Sequence, residues 1–162
     1  MSAVFSPCGT YRYRLERPAE GAGAPIAFVM LNPSIADADR DDATIRRVRA
    51  LARGFGRGRI VVANLYALRA RDPKALRAHP DPVGPENAVH LAAVAKEGGD
   101  VVCAWGNHAD PARAEEAATL LARAGARLWH LGLTMSGAPR HPLYVARGVR
   151  LLPYGPGARV AA

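Results

Sequence analysis

Four places along this chain carry side chains suited to hydrogen-bonding and polarising a ligand. They are Asn32 in "LNPS", Asn64 in "VVANLY", the run Trp105-Gly106-Asn107 in "CAWGNH", and His141 in "PRHPLY". An asparagine amide offers donors and an acceptor at once. A histidine titrates near neutrality and can give or hold a proton. The set holds no cysteine and no carboxylate. It therefore suits reading a polar edge, orienting a water and stabilising a departing charge, rather than metal binding or attack by a side-chain nucleophile.

Each of these residues also has a plainer explanation. Asn32-Pro33-Ser34 fits a simple turn, because the residue before proline is held extended. Asn64 sits in a strand pattern, where asparagine is disfavoured, and could simply satisfy a nearby loop. His141 could be an ordinary loop histidine, and Trp105 fits a core aromatic better than a stacking platform. His108 reads as a loop residue ahead of a helix. His79, His90 and His130 read as structural or surface residues. No histidine pair has helical i, i+4 spacing, so no metal is expected. Asp37, Asp39, Asp41 and Asp42 lack the glycine and glutamate positions of a calcium loop. They are expected to cap a helix and pair with arginines.

The elements that must hold these groups are legible as apolar runs. Residues 26–31, 59–65, 100–105 and 127–131 are near-continuous hydrophobic stretches, as parallel strands buried on both faces are. Helical patterns at 42–53, 85–97 and 110–124 separate them. Asp42 or Asp41 can cap the first. Asp110 followed by Pro111 opens the last, and Gly125 follows its end. Alternating strands and helices give an α/β fold with a mainly parallel sheet. Ahead of it, Tyr11, Tyr13 and Leu15 alternate with Arg12, Arg14 and Glu16, which predicts a half-exposed antiparallel hairpin within residues 1–18. Residues 153–162 read as a loose tail. The whole of 1–162 is expected to be one domain. In such sheets a ligand binds at the carboxyl ends of the strands, and the four strands deliver Asn32, Asn64, Trp105-Gly106-Asn107 and, beyond the fourth, His141 to that edge.

Composition limits the partners. The chain has 162 residues, a formal charge of +8, and 20 arginines against two lysines. Arginine's planar fork suits phosphate, so a nucleic acid or nucleotide partner is compatible, although a compositional bias of the genome would give the same excess. Arg46, Arg47, Arg49 and Arg53 fit either a phosphate-tracking face or a solvated face balanced by the acids before it. Arg69, Arg71, Lys74 and Arg77 follow the second strand and sit nearer the expected mouth, as does Arg140 beside His141. "GFGRGRI" resembles a glycine-rich phosphate loop but precedes a strand, which is the wrong context. The longest apolar runs are far below the ~20 residues of a membrane span. No secretory leader is apparent, so the cytoplasm is the expected location. Cys103 reads as a buried hydrophobe, and two cysteines suggest no disulfide framework.

"FVMLNPS", "VVANLYALRARDPKALRAH", "VVCAWGNHADP" and "PRHPLY" resemble, in order and spacing, the motifs of the uracil-DNA glycosylase superfamily. The likeness covers about three quarters of the chain. The whole chain also looks like a bacterial family known as domain of unknown function 1643. The superfamily resemblance implies a three-layer α/β/α sandwich with a short parallel sheet, and base flipping to reach an N-glycosidic bond. It implies that Asn32 orients water, that Asn64 reads the base, and that His141 donates to the leaving base. It places Pro33, Ser34, Tyr66, Trp105, Gly106 and Asn107 around the base, and implies no cofactor. Two positions depart from the superfamily pattern: Met30 stands where glycine is usual, and Leu143 where serine is. The expected function is a nucleobase-binding, glycosylase-like protein acting on DNA or a nucleotide. The alternative is a non-catalytic nucleotide- or nucleic-acid-binding module on the same scaffold.

Overall fold

The computed structural model describes residues 1–155. Four strands, β3 (Ile26–Met30), β4 (Arg59–Asn64), β5 (Asp100–Cys103) and β6 (Arg127–His130), run parallel to one another. On one side β2 (Arg12–Pro18) pairs antiparallel with β4, and β1 (Ser2–Phe5) pairs antiparallel with β2. On the other side the short β7 (Leu152–Pro153) pairs antiparallel with β6. The seven strands form one sheet in the order β1-β2-β4-β3-β5-β6-β7.

Buried alternation explains why β3 sits at the centre. Ile26, Phe28 and Met30 join Ile60 and Val62 in an apolar cluster with Ile45, Val48, Leu51 and Ala52. Those four are the buried face of α1 (Ala43–Gly54). Ala27, Val29 and Leu31 point the other way. They pack with Leu91, Val94 and Ala95 of α3 (Asn87–Gly98) and with Ala117, Ala118 and Leu121 of α4 (Pro111–Arg123). A strand clothed on both faces needs apolar residues at every position, and all five residues of β3 are buried. A short α2 (Lys74–Ala78) and a 3-10 turn (Pro142–Tyr144) complete the elements. Capping fixes two helix starts: Asp42 accepts from the Ile45 N–H at 2.9 Å, and Asp110 from the Ala112 N–H at 2.8 Å.

Two expectations about the flanks change. The N-terminal hairpin is antiparallel and alternates as expected, with Tyr13 and Leu15 buried and Arg14 and Glu16 only partly so, but Arg12 departs from the pattern. Arg12 and Arg17 are buried, at 3% and 1% exposure, because the sheet face that carries them is covered. The loop around residues 36–41 also folds against it. Arg12 Nη1 donates to the Ala36 carbonyl, and Arg17 Nη2 donates to the Asp37 carbonyl. At the other end, the tail expected from residue 153 is tied to the sheet at its start. Pro153 pairs with Trp129, the Tyr154 N–H donates to the Leu128 carbonyl at 2.9 Å, and the Tyr154 ring meets Trp105 edge-on. The remainder, 156–162, lies outside the described residues.

The order of the parallel strands places the site. From β3 the chain crosses to β4 on one side, while the next parallel strand, β5, lies on the other. The crevice at the carboxyl ends of β3 and β5 is the topological switch point, where open α/β sheets bind ligands.

Candidate functional site

A cavity of about 730 Å³ opens at that edge. Its walls come from the exits of β3 (Met30, Leu31, Asn32, Ser34), β4 (Asn64) and β5 (Trp105, Gly106, Asn107, His108). The loop after β6 adds Arg140, His141 and Tyr144, the start of α1 adds Asp42 and Thr44, and Arg12 and Arg71 complete it. Asn32, Asn64 and His141, nearly 80 residues apart at the widest gap in sequence, thus line one space.

Asn64 closes β4 opposite Met30. Its main chain is locked: the Asn87 amide donates to the Asn64 and Leu65 carbonyls at 3.0 and 3.1 Å, and Arg113 donates twice to Leu65. Its side chain is the opposite case. It is 1% exposed, and among the described residues neither Nδ2 nor Oδ1 has a hydrogen-bond partner. A buried polar group left unpaired costs ~1–3 kcal/mol. Here a donor and an acceptor sit unpaired on one rigid amide.

Asn32 divides its amide between support and cavity. Nδ2 donates to the carbonyls of Ala70 (2.8 Å), Pro33 (3.0 Å) and Leu68 (3.4 Å). Three carbonyls on one side determine which end of the amide is nitrogen. Oδ1 has no protein donor among the described residues, so it remains an acceptor for water. The Ala70 N–H returns a bond to the Pro33 carbonyl at 3.0 Å, which staples the β3 exit to the 68–70 loop.

His141 accepts the Leu143 N–H at Nδ1, 3.3 Å away. A neutral ring so held carries its proton on Nε2. Burial pulls the imidazole below its ordinary value, partly offset by the Asp42 carboxylate, so the ring is neutral at pH 7 and donates from Nε2. The loop bearing it is anchored by the arginine helix: Arg47 donates to the Pro142 and Val145 carbonyls at 3.3 and 2.7 Å.

The other expected residues divide. Ser34, Trp105, Gly106, Asn107, Arg71 and Arg140 line the same cavity. Trp105 is also core, at 2% exposure. Asn107 Oδ1 accepts from Thr134 at 2.7 Å and Ser136 at 2.8 Å, so its carbonyl shapes the wall. His108, expected to be a plain loop residue, lines the cavity as well. Tyr66 opens instead on a neighbouring cavity of about 920 Å³ that shares Pro73 and Trp105 to His108. Its hydroxyl accepts the Asp110 N–H at 3.3 Å. Pro33 is buried behind the wall. Arg69 lies over the Phe5 ring and donates to the Gly9 carbonyl, Lys74 opens α2, and Arg46 donates to the Asp41 carbonyl. These last three do not line the cavity.

Two charged lining residues, Asp42 and Arg12, were not anticipated. Asp42 is the only carboxylate on the wall, and its other role, the α1 cap, is the signal that could have placed it: the loop leaving β3 must begin α1 beside the strand's carboxyl end. Arg12 sits on β2 in an alternating pattern that read as exposed. Among the described residues, no group of three or more His, Cys, Asp or Glu could hold a metal ion, and no helix is long and apolar enough to cross a membrane.

The class defined so far is a mixed α/β protein with a polar cavity at its sheet's switch point. The family described as "Protein of unknown function (DUF1643)" matches residues 12–143, and the chain belongs to it. Neither a search of curated proteins nor one of solved structures finds a match.

Proposed function

We propose that this cavity binds a nucleobase and that the protein hydrolyses the N-glycosidic bond of an altered base in DNA or a nucleotide. The fold proposed with it is a three-layer α/β/α sandwich of the uracil-DNA glycosylase type, in keeping with α1 in one apolar cluster and α3 and α4 in the other. The observation that carries the proposal is the Asn64 amide, buried at the cavity with donor and acceptor both unpaired. A base edge with one N–H and one adjacent carbonyl satisfies both at once, and an analogue lacking that pair leaves them orphaned, which is a strong basis for selectivity.

The chemistry assigned to the wall follows from its groups. Asn32 Oδ1 orients a water at the glycosidic carbon. His141 Nε2–H donates to the base as negative charge develops on it, an electrostatic role that does not require a strong base. Asp42, the one wall carboxylate, lies near His141 and Arg12 and would stabilise positive charge on the sugar or accept the water's proton. Uracil, hypoxanthine and other altered bases, presented in single- and double-stranded oligonucleotides and as nucleotides, test this. Free base should be released, and His141→Ala should abolish it. No release from any of them, with His141→Ala indistinguishable from the wild type, overturns the catalytic claim.

Met30 supports the second reading, a binding module without turnover. It lines the cavity, paired in register with Asn64, at 4% exposure. Thermal stabilisation by nucleobases or nucleotides without hydrolysis would select this reading.

A further inference from the structure

Arg12 is the most unusual charged group in the molecule. It is 3% exposed, yet no carboxylate bonds it. Its one protein acceptor is the Ala36 carbonyl, reached through Nη1, and its Nε is buried with no partner. Burial pulls the guanidinium down to about 10, with Asp42 the main opposing charge, so it stays cationic at neutral pH. Buried charges are ordinarily paired, and a guanidinium has five donors in a fork that matches a carboxylate or phosphate. Arg12 lines the cavity that Asn64 lines, and so do Arg71 and Arg140, against the single carboxylate of Asp42.

We infer that this cavity is an oxyanion site, and that its ligand is a mononucleotide whose phosphate is held by Arg12 while Asn64 reads the base. The inference rests on the base-reading role proposed above for Asn64 and narrows the substrate from "DNA or nucleotide" to the monomer. The arginines of α1 and Arg69 favour the monomer, while Arg71, Lys74, Arg77 and Arg140 are the exposed cations nearest the cavity. A strand needs an exposed track of cations along its backbone. Arg47 and Arg49 are occupied by carbonyls and carboxylates of the fold, Arg53 by an exposed pair with Glu20, and Arg69 by Phe5 and Gly9. Arg12, which bonds no carboxylate among the described residues, lies instead inside a recess of small-molecule size.

The test compares common nucleosides, their 5′-monophosphates, inorganic phosphate and a short single-stranded oligonucleotide, by calorimetry and thermal shift, on wild type and Arg12→Met. At least one monophosphate should bind at least about tenfold tighter than its nucleoside, as one charge-assisted fork allows. Arg12→Met should erase that preference while leaving nucleoside affinity within about twofold. Inorganic phosphate should raise the melting temperature of the wild type alone. The unliganded Arg12→Met protein should melt no lower than wild type, because an unpaired buried charge has been removed; a structural arginine would give the reverse. If Arg12→Met does not fold, Arg12→Gln, a neutral polar side chain, should show the same loss of preference. Equal binding of nucleoside and monophosphate, a preference that survives both substitutions, or tighter binding of the oligonucleotide than of every monophosphate overturns the inference. Arg12-dependent stabilisation by inorganic phosphate with no binding of any nucleoside keeps the anion site and removes the base-reading role. Nucleoside binding with no gain from phosphate does the opposite.

Discussion

Arg12 and Arg17 lie on the same strand, both buried, and are treated in opposite ways. Arg17 Nε bonds Asp41 at 2.6 Å, Nη1 reaches the Glu16 carbonyl at 2.9 Å, and Nη2 reaches the Asp37 carbonyl. Asp41 in turn binds Arg49 at 2.9 Å. The same completeness is found at the amino end of β5. There Asp100 accepts from Trp129 at 3.0 Å, from Arg127 at 2.9 Å and from Arg57 at 2.8 Å. At the carboxyl edge, Arg12 Nε and both polar atoms of Asn64 have no partner among the described residues. The chain satisfies these buried charges where they are structural; Asn87 Oδ1, at the start of α3, is also buried and unpaired among the described residues, and the unpaired groups at the switch point are the ones we assign to a ligand.

The largest expected effect separates the two arginines. Arg17→Met leaves Asp41 without its buried partner and should lower unfolding free energy by ~3–5 kcal/mol. Arg12→Met should leave it unchanged or raise it. Urea unfolding of both variants measures this, and equal losses would end the contrast. Next comes the site itself. His141→Ala should cut kcat by roughly 10²-fold or more, the usual cost of one transition-state donor. In the wild type, the pH profile of kcat/KM should be flat above the ordinary histidine value of 6.5 and fall only below it, because burial keeps the folded-state value lower. A limb above 6.5 would contradict the neutral donor.

A smaller effect belongs to Asp100. Burial pushes its carboxyl up, but the hydrogen bonds from Trp129 and Arg57 and the charge of Arg127 outweigh this and hold it below its ordinary value of 3.8. A depressed folded-state value stabilises the protein above the unfolded value and is lost as pH falls through the folded one. Stability of the wild type should therefore decline from near pH 4 downward, and Asp100→Asn should flatten part of that limb at a cost of ~1.5–3 kcal/mol at pH 7. The smallest effect is on the helix. Arg46→Ala removes an exposed side chain bonded to one carbonyl. It should change stability by under about 0.5 kcal/mol and leave ligand affinity unaltered.

The sequence announces the four parallel strands because burial on both faces demands continuous apolar runs, and Asp42 and Asp110 announce two helix starts through their capping chemistry. Observed strands end one or two residues before the runs do, since Leu65 and Tyr66 leave the ladder while still bonding the Met30 and Leu31 carbonyls. Asn32, Asn64 and His141 were visible because polar residues stand out at the ends of apolar strands. Arg12 was not. Alternation along β2 assigns it to a solvent face, and only the loop around 36–41, distant in sequence, turns that face inward. The role of Arg47 in holding the His141 loop was hidden for the same reason: it depends on a contact 95 residues away.

Asn32 also constrains how this site could change over generations. A carboxylate there would be the stronger base, and Asn to Asp is a one-step substitution. Yet the three carbonyls of Pro33, Leu68 and Ala70 that receive Nδ2 would then face oxygen lone pairs. The step is closed until the 68–70 loop turns an N–H inward, so the two changes are epistatic, and laboratory evolution toward faster hydrolysis should alter the loop before it alters residue 32.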